Sequence, residues 1–380
     1  MKERLHYLDG IKGLACLMVA ACHYHALFGA AFWGLDTLAV RTDWFYNGPL
    51  CVRMFFLVSA FLLAVKVYRS EEQHIVQHTV IKRYLRLALP LLAVTLCIWL
   101  MEQAGVFHNM ELTDLCQDPD YTGGYTEPHS FYQVFTTSLG TTLLSGDCSF
   151  NNKFWMMTWM FYGDILALIM ALVTRCRRKA AFALFGVGIV LTLFTVQNLF
   201  PFMLGTALAY WYVHIRQEKK TEADSCRRNR VLSGIGWTLV FLGAALVIEF
   251  KGYLIVALDG VAERIPELGF LINGNTYNAI GMLFLLLAVM HLPVLQRILG
   301  CVPLRKLGNV SYYVFLVHWP IMCSFSAGVF LHYRGMMADE LLARILFCVT
   351  MGITILVSWI FTVTYERICT RVSKTVLDRV

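Results

Sequence analysis

The chain is written as long apolar runs separated by short polar ones. The stretch "GIKGLACLMVAACHYHALFGAAFW" (10–33) sets the pattern, and runs of similar length recur to the far end. About 20 consecutive apolar residues in a helix cross a hydrocarbon core about 30 Å thick. The pattern predicts ten such helices, at 11–32, 50–68, 84–103, 154–174, 180–197, 199–215, 231–250, 273–292, 309–330 and 342–363. So little chain lies between them that 1–380 reads as one all-α, polytopic membrane domain, followed after 363 by a polar tail. The longest polar interruption is 104–153, and a shorter one covers 251–272. Gly, Pro and Asp in the first mark turns. The first apolar run lacks the short core and small-residue cleavage site of a signal peptide, so it is expected to remain as a span. No internal repeat or low-complexity segment interrupts the series.

Composition agrees with a bilayer. The chain is 58% hydrophobic and 15% charged, against about a quarter charged in a soluble domain. Charge then fixes an orientation. With the N-terminus in the cytoplasm and the spans alternating, 25 of the 32 Lys and Arg residues fall on the inner side. They cluster around Lys12, at Lys82 to Arg86, in "RCRRK" (175–179), in 216–230, around Arg305 and after Arg367. Such a bias is the positive-inside rule, and it predicts cytoplasmic termini at both ends. The net charge of +7 suits anionic lipid at the inner leaflet. No basic patch is interleaved with aromatics, so nucleic acid is not an expected partner.

The twelve cysteines include no CxxC pair and no Cys/His cluster at zinc spacing, so no metal site is expected. Cys116 and Cys148 both fall in the long polar loop, and the sequence leaves their pairing open. Asp114, Asp118, Asp120 and Glu127, with several tyrosines, give that loop the side chains of a sugar site, and equally those of a solvated loop.

Ionisable groups inside the spans carry the chemistry, because a charge in hydrocarbon is costly and usually faces a polar cavity. His23 lies eleven residues beyond Lys12, about three helical turns and 16 Å along the axis. One stripe of the first helix therefore joins a cation at the inner mouth to an imidazole deep in the span, while His25 points nearly the opposite way. A bland alternative remains, in which His23 only bonds a neighbouring helix. Arg83 and Arg86 are i and i+3, hence neighbours on one helix face. Paired guanidiniums suit phosphate, though arginines at an inner helix end are also ordinary anchors. "LGNVSYYVFLVHWPIMC" (307–323) puts His318 half-way through the ninth span, beside Pro320. Asp164 is the one carboxylate well inside a span, and its burial requires a partner.

Together these segments resemble the acyltransferase-3 family of polytopic membrane acyltransferases. "YLDGIKGLACLMVAACHY" (7–24) is similar to that family's first-helix signature, with Arg or Lys ten intervening residues before a histidine. "FFLVSAFLLA" (55–64), "RYLR" (83–86), "FMLGTALAYWY" (202–212) and "LGNVSYYVFLVHWPI" (307–321) follow in family order. The resemblance implies transfer of an acyl group, most often acetyl from cytoplasmic acetyl-CoA, to a hydroxyl of a cell-envelope glycan or related acceptor. It implies no permanently bound cofactor, a bacterial plasma membrane, and partners in envelope-polysaccharide assembly. His23 takes the family's essential histidine, as general base or transient acyl carrier, and Lys12 its basic partner. Arg83 and Arg86 take the donor-binding positions. Asp9, Ser311 and His318 fall within the matching segments as further candidates. One departure stands out: Met160 occupies a position where many members carry Glu, and Asp164, one turn on, is expected to orient His23 in its place. A transporter or flippase of a lipid-linked precursor shares the ten spans and buried histidines, as does a catalytically silent scaffold.

Overall fold

The computed structural model describes residues 5–32, 47–72, 74–112, 125, 128–215, 225–247, 254–259, 264–265, 268–269 and 273–377. These are helical, with one isolated bridge pairing Arg334 and Met337. The long helices are α1 (His6–Phe32), α2 (Gly48–Tyr68), α3 (Ile75–Gln103) and α4 (Trp155–Cys176). α5 (Ala181–Phe194), α6 (Phe200–Tyr210), α7 (Ser225–Val247), α8 (Gly274–His291) and α9 (Pro293–Leu299) follow. The chain closes with α10 (Val302–Ile321), α11 (Ala327–Tyr333) and α12 (Asp339–Leu377). Helices prevail because a backbone in hydrocarbon must satisfy its own N–H and C=O groups.

Among the described residues, six helical segments are long and apolar enough to span a membrane, or seven if the pair α8 and α9, bent by 102°, counts as one, so the ten expected spans are met in part. The segments expected at 180–197 and 199–215 are helical but short: α5 has 14 residues and α6 has 11, the latter extended by a π turn at Trp211–Ile215. At 1.5 Å per residue α5 is about 21 Å long. α12 departs the other way. It continues through the expected tail to Leu377 and has 39 residues, because no Gly or Pro interrupts the chain after Gly352. Its middle exposes Leu356, Trp359, Ile360 and Val363, an apolar face suited to lipid.

The residues form two compact units. The first comprises Met1–Gly10, Pro49–Val80 and Tyr162–Val302. In it Phe56 of α2 stacks on Phe202 of α6 at 4.7 Å, and Gly205 lies against the Leu57 carbonyl, leaving no room for a Cβ. Arg175 donates to the carbonyls of Val67 (3.2 Å) and Ser70 (2.9 Å), tying α4 to the C-terminal end of α2.

The second unit comprises Ile11–Gly48, Ile81–Phe161 and Pro303–Val380. Its core gathers Tyr24, Leu27, Phe28, Trp319, Met322, Phe330 and Leu346, and Tyr24 donates to the Ala343 carbonyl at 2.8 Å. The polar connection at its edge is pinned at both ends. Glu102 pairs with His129 at 2.9 Å, and Asp147 accepts from Thr141 (2.8 Å), Thr137 (3.3 Å) and the Ser149 N–H (3.0 Å). Partial burial alone would raise the Asp147 carboxyl, but these hydrogen bonds outweigh it and hold the group below its ordinary range. Burial, reinforced by Asp147, pushes the Cys148 thiol up to about 11; that thiol donates to the Gly146 carbonyl. Cys116, Asp114, Asp118, Asp120 and Glu127 lie outside the described residues.

Candidate active site

The site is built where α1 and α10 touch in the second unit. A Cβ on Gly13 would lie 2.6 Å from the Leu304 carbonyl oxygen and 2.8 Å from the Gly308 nitrogen. Small residues let helix backbones approach this closely in a membrane. His23 is ten residues beyond Gly13, and His318 is ten beyond Gly308. Both lie about 15 Å past the crossing, so the two helices run the same way and their imidazoles meet. Nδ1 of His23 is 2.7 Å from Nε2 of His318, with ring planes 10° apart.

The next partner fixes the protons. Nδ1 of His318 is 3.0 Å from the Val314 carbonyl oxygen, which can only accept, so that nitrogen carries hydrogen. In the neutral ring Nε2 is then the acceptor, and His23 donates to it from Nδ1. The remaining nitrogen of His23, Nε2, is left with its lone pair. His318 is wholly buried, whereas His23 is half-buried, and among the described residues His23 Nε2 has no hydrogen-bond partner. The alternative in which His23 only glues two helices accounts for Nδ1 but leaves this second nitrogen unused.

Trp319, adjacent to His318 and 1% exposed, sets its indole edge-on to His23 at 5.9 Å between centroids. Lys153 places its ammonium 4.2 Å from the centre of the same indole. Nothing in the sequence pattern singles out Lys153, which opens the span Asn152–Cys176.

A cavity of about 420 Å³ lies along α10 toward its N-terminal end, within the range of small-molecule sites. Three helices contribute one face each: Lys82, Arg86 and Pro90 of α3, Asn309, Tyr312 and Tyr313 of α10, and Glu366 to Lys374 of α12. The α3 residues recur at i, i+4 and i+8, a single helical stripe. Arg83 is half-buried and stands about 100° round from Lys82, so it is not among the lining residues; nor is Lys12. Lys82, Arg86 and Lys374 face a single carboxylate, Glu366, which lies 3.7 Å from Arg86 in an open pair. The walls therefore hold a surplus of positive charge beside hydroxyls of Thr370 and Ser373. Tyr312 donates to the Leu87 carbonyl at 2.9 Å, tying α10 to α3. From Tyr312 to His318 is six residues, about 9 Å along α10.

Other expected site residues are placed elsewhere. Asp164 is wholly buried in the first unit, where its carboxylate accepts from Ser59 at 2.7 Å. Nδ1 of His23, the nitrogen a carboxylate partner would use, is taken by His318. Ser311 spends its hydroxyl on the Gly308 carbonyl at 2.8 Å, a local helix contact. Asp9 is 8% exposed in the first turn of α1, within the first unit.

A family model described as an acyltransferase domain, Acyl_transf_3, matches residues 5–363. The chain belongs to the acyltransferase-3 family. It is an acyltransferase, and its apolar helices make it a multi-pass membrane one. It is also 21% identical to "O-acetyltransferase PaAT-1" of Phomopsis amygdali, over 95% of this chain and 81% of that protein. No solved structure matches.

Proposed function

We propose that this enzyme transfers an acetyl group from acetyl-CoA to a hydroxyl of a glycan or related acceptor, with His23 as general base. The observation that carries the reading is the run of hydrogen bonds from His23 through His318 to the Val314 carbonyl, which leaves His23 Nε2 unprotonated. The phosphates of the donor dock on Lys82, Arg86 and Lys374, and its pantetheine arm follows α10 toward the imidazoles. The lining residues belong to helix ends that the bias of basic residues assigns to the cytoplasm, where acetyl-CoA is made.

The chemistry balances around one proton. The acceptor O–H gives its proton to His23 Nε2 as its oxygen attacks the thioester carbon, and the carbonyl π pair moves onto oxygen. When that pair returns, the C–S bond breaks and its electrons leave on sulfur. The imidazolium then returns the proton to the thiolate, giving ester, free CoA and neutral His23. While charged, the His23 ring keeps its Nδ1–H on His318, a bond that strengthens as the ring gains charge. General-base action of this kind contributes about 10²–10⁴-fold.

The test is CoA release from acetyl-CoA by the purified chain in lipid nanodiscs, with water and with methyl glucoside as acceptors. His23→Ala is expected to lose release by that factor while still binding CoA. Full release by this variant would overturn the assignment, and labelled acetate on the protein after a rapid acid quench would replace direct transfer with an acyl-histidine route.

A further inference from the structure

The junction between the outer polar connection and α4 places a cation where the proposed mechanism has an unmet need. Lys153 is 8% exposed, an uncommon depth for an ammonium. It sits 4.2 Å over the Trp319 indole, whose edge meets the His23 ring. Its charge reaches Cys22, His23, His318 and Cys323. The backbone that carries it is fixed by a side-chain cap: Asn151 Oδ1 accepts from the Lys153 N–H at 2.9 Å. The other end of that amide, Asn151 Nδ2, is buried with no partner among the described residues, on a residue 2% exposed. A buried donor left unsatisfied costs about 1–3 kcal/mol, and an oxygen arriving at this junction would satisfy it.

The attack drawn above puts a full negative charge on the former carbonyl oxygen. In a site shielded from water such a charge is stabilised by fixed donors, usually the largest single contribution to the rate. One indole touches both the ammonium and the imidazole. A reacting centre bound beside this indole would hydrogen-bond the lysine through its carbonyl oxygen and the histidine through the attacking hydroxyl, at about 2.8 Å each. We propose that Lys153 Nζ, with Asn151 Nδ2 beside it, binds the thioester carbonyl oxygen and holds the oxyanion formed during transfer. This rests on His23 being the base. No atoms are exchanged with the lysine: the carbonyl pair moves onto oxygen beside the ammonium, then returns as the C–S bond breaks. Trp319 keeps the ammonium in place through its ring face and excludes water from it.

The experiment compares kcat and KM for acetyl-CoA, by CoA release in nanodiscs, across Lys153→Met, Lys153→Arg, Asn151→Asp and His23→Ala. Lys153→Met is expected to lower kcat about 10²–10³-fold with KM moved by no more than about threefold, and Lys153→Arg to recover to within about tenfold of the parent. Asn151→Asp keeps the oxygen that caps the Lys153 N–H but sets a carboxylate where the donor was, so it is expected to be as impaired as Lys153→Met. Size-exclusion profile and CoA binding of each variant separate these effects from misfolding; a misfolded Lys153→Met leaves the decision to Lys153→Arg and Asn151→Asp. Parent-like kcat in both Lys153→Met and Asn151→Asp, with His23→Ala dead, overturns the oxyanion assignment alone. A parent chain that releases no CoA, or an active His23→Ala, overturns the reading on which it rests.

Discussion

His318→Phe isolates the hydrogen-bond relay from the base itself. The substitution keeps an aromatic ring in a wholly buried position but removes the nitrogen that accepts from His23 Nδ1 at 2.7 Å. In the resting enzyme the lost bond is worth about 1 kcal/mol, enough for His23 to sample the wrong tautomer. On the proposed mechanism the ring is an imidazolium in the transition state, and a hydrogen bond from a charged group is worth about 1.5–3 kcal/mol. Because kcat reads the loss beyond that of the resting state, about 0.5–2 kcal/mol, it should fall by about 2- to 30-fold, with KM for acetyl-CoA unchanged because the cationic cavity is intact. His318→Gln restores an acceptor oxygen at similar reach and should regain most of the loss. The assay is CoA release under saturating acetyl-CoA, beside His23→Ala as the floor. A His318→Phe enzyme with parental kcat, or a Gln variant no better than Phe, would refute the relay.

Other outcomes follow from the same geometry. Arg86→Ala and Lys374→Ala should each raise KM for acetyl-CoA by about 2–5-fold, the worth of a partly solvated ion contact. The difference should shrink at high KCl, which a titration at two ionic strengths reads directly. Asp147 has a carboxyl held below its ordinary range by its hydrogen bonds. Its stabilisation is therefore complete above the unfolded carboxyl pKa and is lost as pH falls through the lower folded value. Asp147→Asn should lower the melting temperature near neutral pH, by about 1 kcal/mol of stability, and converge with the parent in acid; an equal offset at both pH values would contradict this. Gly13→Ala sets a methyl 2.6 Å from the Leu304 carbonyl, so the helices must part. CoA release should fall with that separation more than CoA binding does, measured on the same preparation.

Much of this site can be read in the chain before any coordinates. The stripe carrying His23 follows from helical spacing, and His318 from a histidine in mid-span. Their union does not, because it depends on which helices touch across 295 residues of sequence. The choice between Lys82 and Arg83 turns on about 100° of helix rotation, which the packing of α10 and α12 decides. The helical tail did leave a signal: no Gly or Pro follows Gly352, and Glu366, Thr370 and Lys374 recur every four residues. Reading that segment as a tail hid one wall of the cavity. The shorter helices α5 and α6 were masked by apolarity alone, which marks burial in lipid or protein alike and does not measure length.

The crossing at Gly13 and Gly308 makes α1 and α10 a matched pair of rulers, each counting ten residues to its histidine. One residue inserted into α1 between Gly13 and His23 would advance the imidazole about 1.5 Å and swing it about 100°, out of reach of its mate. A second insertion at the equivalent place in α10 would match that height but turn His318 about 100° in the same sense, so the two rings would end on opposite sides of the helix pair. Height along the pair and rotation about each axis are thus separate conditions, and the present spacing of ten residues meets both.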